Sequence, residues 1–187
     1  RALDARQQAE DARAVAEQAE AKQYAATLYQ QVTKTLQQAE QHLRAQRWNE
    51  ASQEFSRARS LWSQAAHDAQ QEKGRQTASA IRQRVEVARA AAEEAEASTR
   101  FAQEFTRAQH LNEQGQQAEA QQNFAQAISL YEQALQQLLR LRREADIQAA
   151  REETETARRQ MSVAKEQATA LKQWAKTPWE AAQKHEA

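Results

Sequence analysis

The sequence predicts an all-α protein, built as an elongated array of long antiparallel helices joined by hairpin turns. The 187 residues include only 2 Gly and 1 Pro, and aromatic residues make up 6%. Ala, Gln, Glu and Arg dominate, and all four are good helix formers. Tight turns between strands use Gly, and strands use β-branched and aromatic residues, so the composition disfavours a sheet.

The third observation behind this prediction is an internal repeat. Segment 2–21 returns as segment 78–97, with Ala, Arg, Gln and Glu at matching positions. The segment that starts at Trp48 returns at Phe124, again with a matching pattern of Ala and aromatic residues. A repeat of this length, about 76 residues, is typical of an array in which each unit buries its apolar face on its neighbours.

The repeat defines the expected domain organisation. We predict repeat unit 1 at 1–76, repeat unit 2 at 77–152 and the truncated start of repeat unit 3 at 153–187. The third unit stops before its hairpin turn, and the chain opens at Arg1 inside a helical pattern. We therefore expect this chain to be a fragment of a longer protein.

Three main helices are predicted in succession, at 2–46, 49–122 and 125–175. Apolar residues recur in them with mixed spacings of three and four, which is typical of helices with one apolar stripe. A single glycine, Gly74, lies inside the second helix. A lone Gly costs about 1 kcal/mol relative to Ala and need not end a helix, so we favour continuity and leave a bend at Gly74 open.

Two hairpin turns are predicted between these helices, near residues 47–48 and 122–124. Asn49 and Asn123 are candidate N-caps, because an Asn side chain can accept a hydrogen bond from a backbone N–H of the first turn. Trp48 and Phe124 occupy the same repeat position beside these caps. We predict that Trp48→Ala or Phe124→Ala loosens its own hairpin at a cost of about 3–5 kcal/mol, and that Trp179→Ala changes stability little.

The second hairpin resembles a tetratricopeptide repeat. The residues that carry this resemblance are Gly115, Asn123, Phe124, Ala125, Gln126, Ala127, Ile128, Tyr131, Ala134 and Leu135. The first hairpin is similar, through Ala39, Trp48, Ala51, Phe55 and Ala58. The resemblance implies that small residues let two helices approach closely while aromatic residues fill the groove.

The sequence also departs from that family. Leu139 stands near the position of the family's helix-ending Pro, and the repeat is about 76 residues long instead of about 34. The long helices are similar to those of spectrin-like rods. The chain also resembles the Ala/Glu/Gln-rich helical repeat regions beside catalytic domains in large bacterial proteins, including those with kinase or formylglycine-generating-enzyme-like domains.

Charge and apolar content limit the classes of partner. The chain has 26 basic and 26 acidic residues, which argues against a nucleic-acid-binding protein. It contains no cysteine, which excludes disulfide and thiol chemistry but fits any compartment. No apolar run approaches the length of a membrane span, and we expect neither a membrane span nor a signal peptide within this sequence.

No motif in the chain predicts catalysis, a cofactor or a metal site. The histidines lie at His42, His67, His110 and His185, far apart in sequence. A zinc site on a helix would need ligands three or four residues apart. The acidic residues alternate with Arg and Gln on faces expected to be solvated, whereas acid–base catalysis needs a perturbed carboxyl group in a pocket. We predict that the chain is not an enzyme.

The tryptophans are the candidate partner-binding residues, since Trp is enriched at binding hot spots. They are Trp48, Trp62, Trp174 and Trp179. The alternative is that they cap the Ala-rich core at hairpin tips and helix joints. We predict a non-catalytic scaffold or spacer that binds a protein partner, neighbouring domains of the same polypeptide or a second copy of itself. The alternative is a small-ligand sensor with an aromatic pocket near a hairpin.

Overall fold

A computed structural model describes the backbone of residues 1–185 and the side chains of residues 1–172 and of Trp174. Over these residues the chain is all-α and contains no strand, as predicted. The helices are α1 (Ala2–Gln18), α2 (Ala21–Tyr24), α3 (Ala26–Arg44), α4 (Trp48–Glu94), α5 (Ala97–Arg100), α6 (Ala102–Ala120) and α7 (Phe124–His185).

Two of the predicted helices are wrong because the chain breaks within them. The helix expected at 2–46 is divided into α1, α2 and α3, and the helix expected at 49–122 ends at Glu94 and is followed by α5 and α6. The breaks expected near 47–48 and 122–124 do separate α3 from α4 and α6 from α7. The third predicted helix lies within α7, which is longer at both ends.

The breaks share one backbone feature, a residue in the left-handed conformation. Glu20, Gln46, Glu96 and Gln122 have φ angles of 59°, 57°, 60° and 59°. A left-handed residue after a helix lets the chain turn while the last carbonyls are still hydrogen-bonded, and glycine usually fills this position. None of these residues is a glycine, so the glycine positions in the sequence do not indicate where these helices end.

The helix boundaries recur at the spacing of the sequence repeat. α2 and α5 begin at matching repeat positions, and so do α3 and α6. The ends of α1 and α4 show the same offset, as do the starts of α4 and α7. The unit limits predicted at 76/77 and 152/153 fall inside α4 and α7, respectively.

The first bundle consists of α1, α3 and the first half of α4. Arg6 lies 3.0 Å from Glu40, so the chain turns back on itself between α1 and α3. Arg59 of α4 donates a hydrogen bond of 2.7 Å to Gln8 of α1. Further along, Lys73 of α4 forms an ion pair with Glu20, which lies just after the end of α1, so α1 and α4 run in the same direction. The core contains Val32, Phe55, Trp62 and a set of buried alanines.

The second bundle consists of the second half of α4, α6 and the first half of α7. Its core includes Val85, Phe105, Tyr131 and Leu138. α4 contributes to both cores: its buried residues from Ala51 to Ala69 belong to the first, and those from Ala78 to Ala92 belong to the second.

Gly74 lies between the two cores, and α4 is continuous through it. A Cβ atom at this position would lie only 2.9 Å from the Cβ of Phe124. The glycine therefore lets the start of α7 approach α4 closely.

The two hairpin aromatics differ in exposure. Phe124 is half-buried beside Gly74, whereas Trp48 is 55% exposed. The cost predicted for Trp48→Ala assumes a buried ring, and Trp48 is not one: it lies beside residues 1–3 with more than half of its surface exposed. Trp179 lies outside the residues whose side chains are described.

The predicted caps also differ between the hairpins. Asn123 accepts a hydrogen bond of 3.3 Å from the backbone N–H of Gln126, as expected for an N-cap at the start of α7. Asn49 is not a cap, because α4 already begins at Trp48 and Arg47 occupies the cap position.

Candidate functional site

The three candidate tryptophans whose side chains are described do not form one exposed patch. Trp48 is exposed at the start of α4, and Trp62 lies in the same helix with 1% of its surface exposed. Their separation in sequence corresponds to about 21 Å along the helix. Trp174 lies in the second half of α7 and is 75% exposed.

Trp62 is part of the first core. Its ring makes an edge-to-face contact with Tyr29, with 4.9 Å between ring centroids and 73° between planes. Its indole Nε1 is buried without a hydrogen-bond partner. Burial of this ring stabilises the bundle but removes it from the surface that a partner could reach.

The second bundle holds a partly buried polar network that the sequence analysis did not predict. The hydroxyl of Tyr131, a residue with 0% exposure, donates a hydrogen bond of 2.7 Å to Glu119. Arg82 donates a hydrogen bond of 3.1 Å to the same carboxylate oxygen. Burial, followed by the hydrogen bond to Glu119, raises the pKa of Tyr131 well above its ordinary value. The network joins α4, α6 and α7 and keeps the tyrosine neutral.

A second polar contact lies in the same bundle. Asn112, which is 8% exposed, donates a hydrogen bond of 3.1 Å from Nδ2 to Glu86. The corresponding position in the first bundle, one repeat earlier, is Leu36. Likewise, Phe55 and Leu43 stand where the second bundle has Tyr131 and Glu119. Comparing the two repeat copies at these positions would have revealed the polar residues.

Arginine recurs at one position of each repeat. Arg6 of α1 pairs with Glu40 of α3 at 3.0 Å, and Arg82 of α4 pairs with Glu119 of α6 at 3.1 Å. In both bundles the arginine thus reaches a carboxylate on the helix that follows the break. Arg158 of α7, one repeat after Arg82, is exposed.

An open groove of about 480 Å³ lies between α1 and α3. It is lined by Arg6, Glu10, Arg13, Thr33, Leu36, Gln37, Glu40, Gln41, Arg44 and Phe55. Arg6 contacts Glu10 and Glu40 from its Nε atom, at 3.2 Å and 3.0 Å. The charges of Arg6, Glu10 and Glu40 offset one another across the groove, although Nε of Arg6 makes no hydrogen bond to either carboxylate.

The side chains described contain no group of three His, Asp or Glu residues placed to hold a metal ion. His67 and His110 are exposed, and His42 is half-buried in α3. His185 lies outside the residues whose side chains are described.

Comparison with known proteins gives no match to a family model, a curated protein or a solved structure. The tetratricopeptide and spectrin-like resemblances therefore stay predictions. None of the helices in the described part of the chain is both long and apolar enough to cross a membrane.

Proposed function

We propose that this chain is a non-catalytic helical scaffold that holds attached segments at a fixed separation and presents helix faces to a protein partner. The observation that carries this proposal is α4, one helix of 47 residues that belongs to both cores. Because the helix passes from one core into the next, the bundles are coupled without a flexible linker.

The contact between Gly74 and Phe124 gives the spacing of the array. Phe124, the first residue of α7, lies beside Gly74, which is about 26 residues after the start of α4. At 1.5 Å per residue, the second unit is therefore displaced from the first by about 39 Å along the axis of α4. We read the units as antiparallel helical hairpins added along this axis. The exposed side chains are mostly charged or amide groups, which suits a spacer in contact with water.

The rigidity of this array can be measured between two engineered thiols, because the native chain has no cysteine. Val15 on α1 and Val87 on α4 are 53% and 72% exposed, so Val15→Cys and Val87→Cys give labelling sites outside the cores. The ion pair between Glu20 and Lys73 shows which residues of α1 and α4 lie side by side. Val15 of α1 lies beside the part of α4 that is about 20 residues, or about 30 Å, before Val87.

Double electron–electron resonance spectroscopy on spin labels attached at these two sites should give one narrow distance distribution, centred at about 30 Å. The value follows from the rise per residue of α4 over the stretch that separates the labels. A broad distribution would contradict a rigid scaffold.

A ligand-binding screen tests the alternative class of function. Binding of a small molecule to the native state raises the unfolding temperature in a saturable way. We expect no saturable shift in a thermal screen of common metabolites. A saturable shift would favour the small-ligand sensor over the scaffold.

A further inference from the structure

One face of α7 carries an exposed apolar stripe. The stripe consists of Ala157, Met161, Ala164, Ala168 and Leu171, spaced by three and four residues as on one side of a helix. Met161 is 72% exposed and Leu171 is 66% exposed. All described side chains from 151 to 172 are exposed, so no described helix covers the stripe.

The same face is buried in α4, one repeat earlier. The residues there are Ile81, Val85, Ala88, Ala92 and Ala95, and α6 and the first half of α7 cover them. Val85 and Ala92, the counterparts of Met161 and Ala168, have 0% exposure. The next earlier copy of this face lies on α1, where Ala9 and Ala16 are also fully buried. In both bundles the covering element is a helical hairpin.

The arginine beside the stripe gives an independent indication of the same occupant. Arg6 and Arg82 each pair with a glutamate of the covering hairpin. Arg158 occupies the third copy of this position, next to Ala157, and is exposed. A hairpin that covers the stripe as α6 covers α4 would place an acidic residue against Arg158.

We propose that this α7 stripe docks a helical hairpin of a separate protein, one with the apolar pattern of α6 and the start of α7 and a carboxylate that faces Arg158. The proposal rests on the scaffold function and names the kind of partner that the scaffold takes. α7 continues as one helix to His185 and does not turn back as α1 does after Gln18. A second copy offers no open hairpin, since its own hairpins already cover α1 and α4.

The test uses thiol protection on the full chain. Met161→Cys places a thiol in the stripe, and Val163→Cys places one on the other side of α7, where the corresponding Val87 of α4 is 72% exposed. The probe is a synthetic peptide with the sequence of residues 97–152. With saturating peptide, alkylation at position 161 should slow by about tenfold or more while alkylation at position 163 stays within about twofold. A gain of helical circular dichroism on mixing should accompany the protection.

Charge reversal makes the test specific. Arg158→Glu in the chain should weaken peptide binding by about tenfold, and Arg158→Lys, which keeps the positive charge, should stay within about twofold of the native chain. The proposal is overturned if both thiols are protected equally, or if neither is protected at about 100 µM peptide. It is also overturned if raising the concentration of the chain alone protects position 161, because a second copy would then cover the stripe. None of these outcomes affects the distance between Val15 and Val87, which tests the scaffold function by itself.

Discussion

Gly115 of α6 lies directly against the ring of Tyr131 in α7. A Cβ atom at Gly115 would lie 2.6 Å from the ring, closer than packed atoms approach one another. In the first bundle, Ala39 and Phe55 occupy the same two positions. In the second bundle, glycine in place of alanine at position 115 leaves room for the ring of Tyr131, whose hydroxyl is bonded to Glu119.

Gly115→Ala should lower the free energy of unfolding by up to about 2 kcal/mol. The overlap with the fully buried Tyr131 costs about 1–3 kcal/mol, which outweighs the gain of about 1 kcal/mol in helix propensity. Urea denaturation would measure the change. Gln116→Ala, at the next and exposed position, is the matched control and should stay within about 0.5 kcal/mol of the native chain. A more stable Gly115→Ala variant would contradict the close contact.

Tyr131→Phe should destabilise the chain by about 1–2 kcal/mol at neutral pH, because Glu119 loses one of its two donors. The raised pKa of Tyr131 means that the folded state holds its proton more tightly than the unfolded state does. This contribution is complete below pH about 10 and declines as the pH rises further, since the unfolded tyrosine then ionises first.

The stability difference between Tyr131→Phe and the native chain should therefore narrow above pH about 10. Chemical denaturation of both proteins from neutral pH upwards would follow it. A difference that stays constant across the alkaline range would argue against a buried, neutral Tyr131.

Trp62 and Trp48 allow a comparison of two tryptophans in one helix. Trp62→Ala removes a ring with 1% exposure and should cost about 3–5 kcal/mol. Trp48→Ala removes a ring that is 55% exposed and should cost less than about 1 kcal/mol. Thermal unfolding followed by circular dichroism would rank them. Equal losses would mean that the start of α4 is covered in solution.

At the scale of the helices, the repeat and the outer hairpins could be predicted from the sequence, but the breaks after α1 and α4 could not be found from turn residues. The sequence does carry a different signal. Continuing the seven-residue spacing of Ala2, Ala9 and Ala16 leads to Gln23, Gln30 and Gln37. The buried residues of α3 instead include Val32 and Ala39. The apolar stripe thus changes phase at the break, as it must when a helix turns back and presents a different face to the core.

The same change of phase occurs in the second copy. Continuing the spacing of Ala78, Val85 and Ala92 leads to polar residues at Thr99, Thr106 and Glu113. Helix propensity alone does not predict the break, because Ala, Glu and Gln favour a continuous helix on both sides of it. Packing in the bundle overrides the local preference.

Gln122→Gly should stabilise the second hairpin by about 0.5–1 kcal/mol. Gln122 has a φ angle of 59°, a conformation that costs a residue with a Cβ atom more than it costs glycine. The backbone N–H groups of Gln122 and Asn123 bond back to Glu119 and Ala118, so the turn itself is well formed. Denaturation midpoints would give the change in stability.

The adjacent variant Gln121→Gly is the control for this substitution. Gln121 has a φ angle of −84°, so glycine there gains nothing and should cost about 0.5–1 kcal/mol. If both variants changed stability in the same direction, the left-handed conformation at Gln122 would be wrong.

Burial of the candidate partner residues could not be predicted from periodicity. Trp48, Phe55 and Trp62 follow one another at intervals of seven residues and share one face of α4. Their exposures differ because burial depends on which helix lies beside each turn, and Trp48 lies at the end of its bundle. The repeat shows that Arg6 and Arg82 occupy matching positions. It does not predict their partners, because Glu40 and Glu119 do not occupy matching repeat positions.

At the scale of the whole molecule, coupling between the bundles depends on the segment of α4 between Ala69 and Ala78. Gln71→Pro should interrupt this segment, since proline inside a helix costs about 3 kcal/mol or more. Gln71 is exposed, so neither core loses a side chain. We expect two separate unfolding transitions by calorimetry and a broadened distance between Val15 and Val87. Gln71→Ala should retain one transition, and a single transition in the proline variant would show that the cores are coupled by another route.

The continuity of α4 also decides how the molecule responds to tension. A pull on the two bundles in opposite directions loads α4 between Ala69 and Ala78, a stretch that contributes no residue to either core. Its backbone hydrogen bonds lie nearly parallel to the load, and they stretch one after another as the helix unwinds. Lys73, bound to Glu20, and Gly74, packed on Phe124, attach this segment to both bundles. We therefore expect the junction to lengthen under force before either core unfolds, which pulling on single molecules would show as a first extension step much shorter than the unfolding of a bundle.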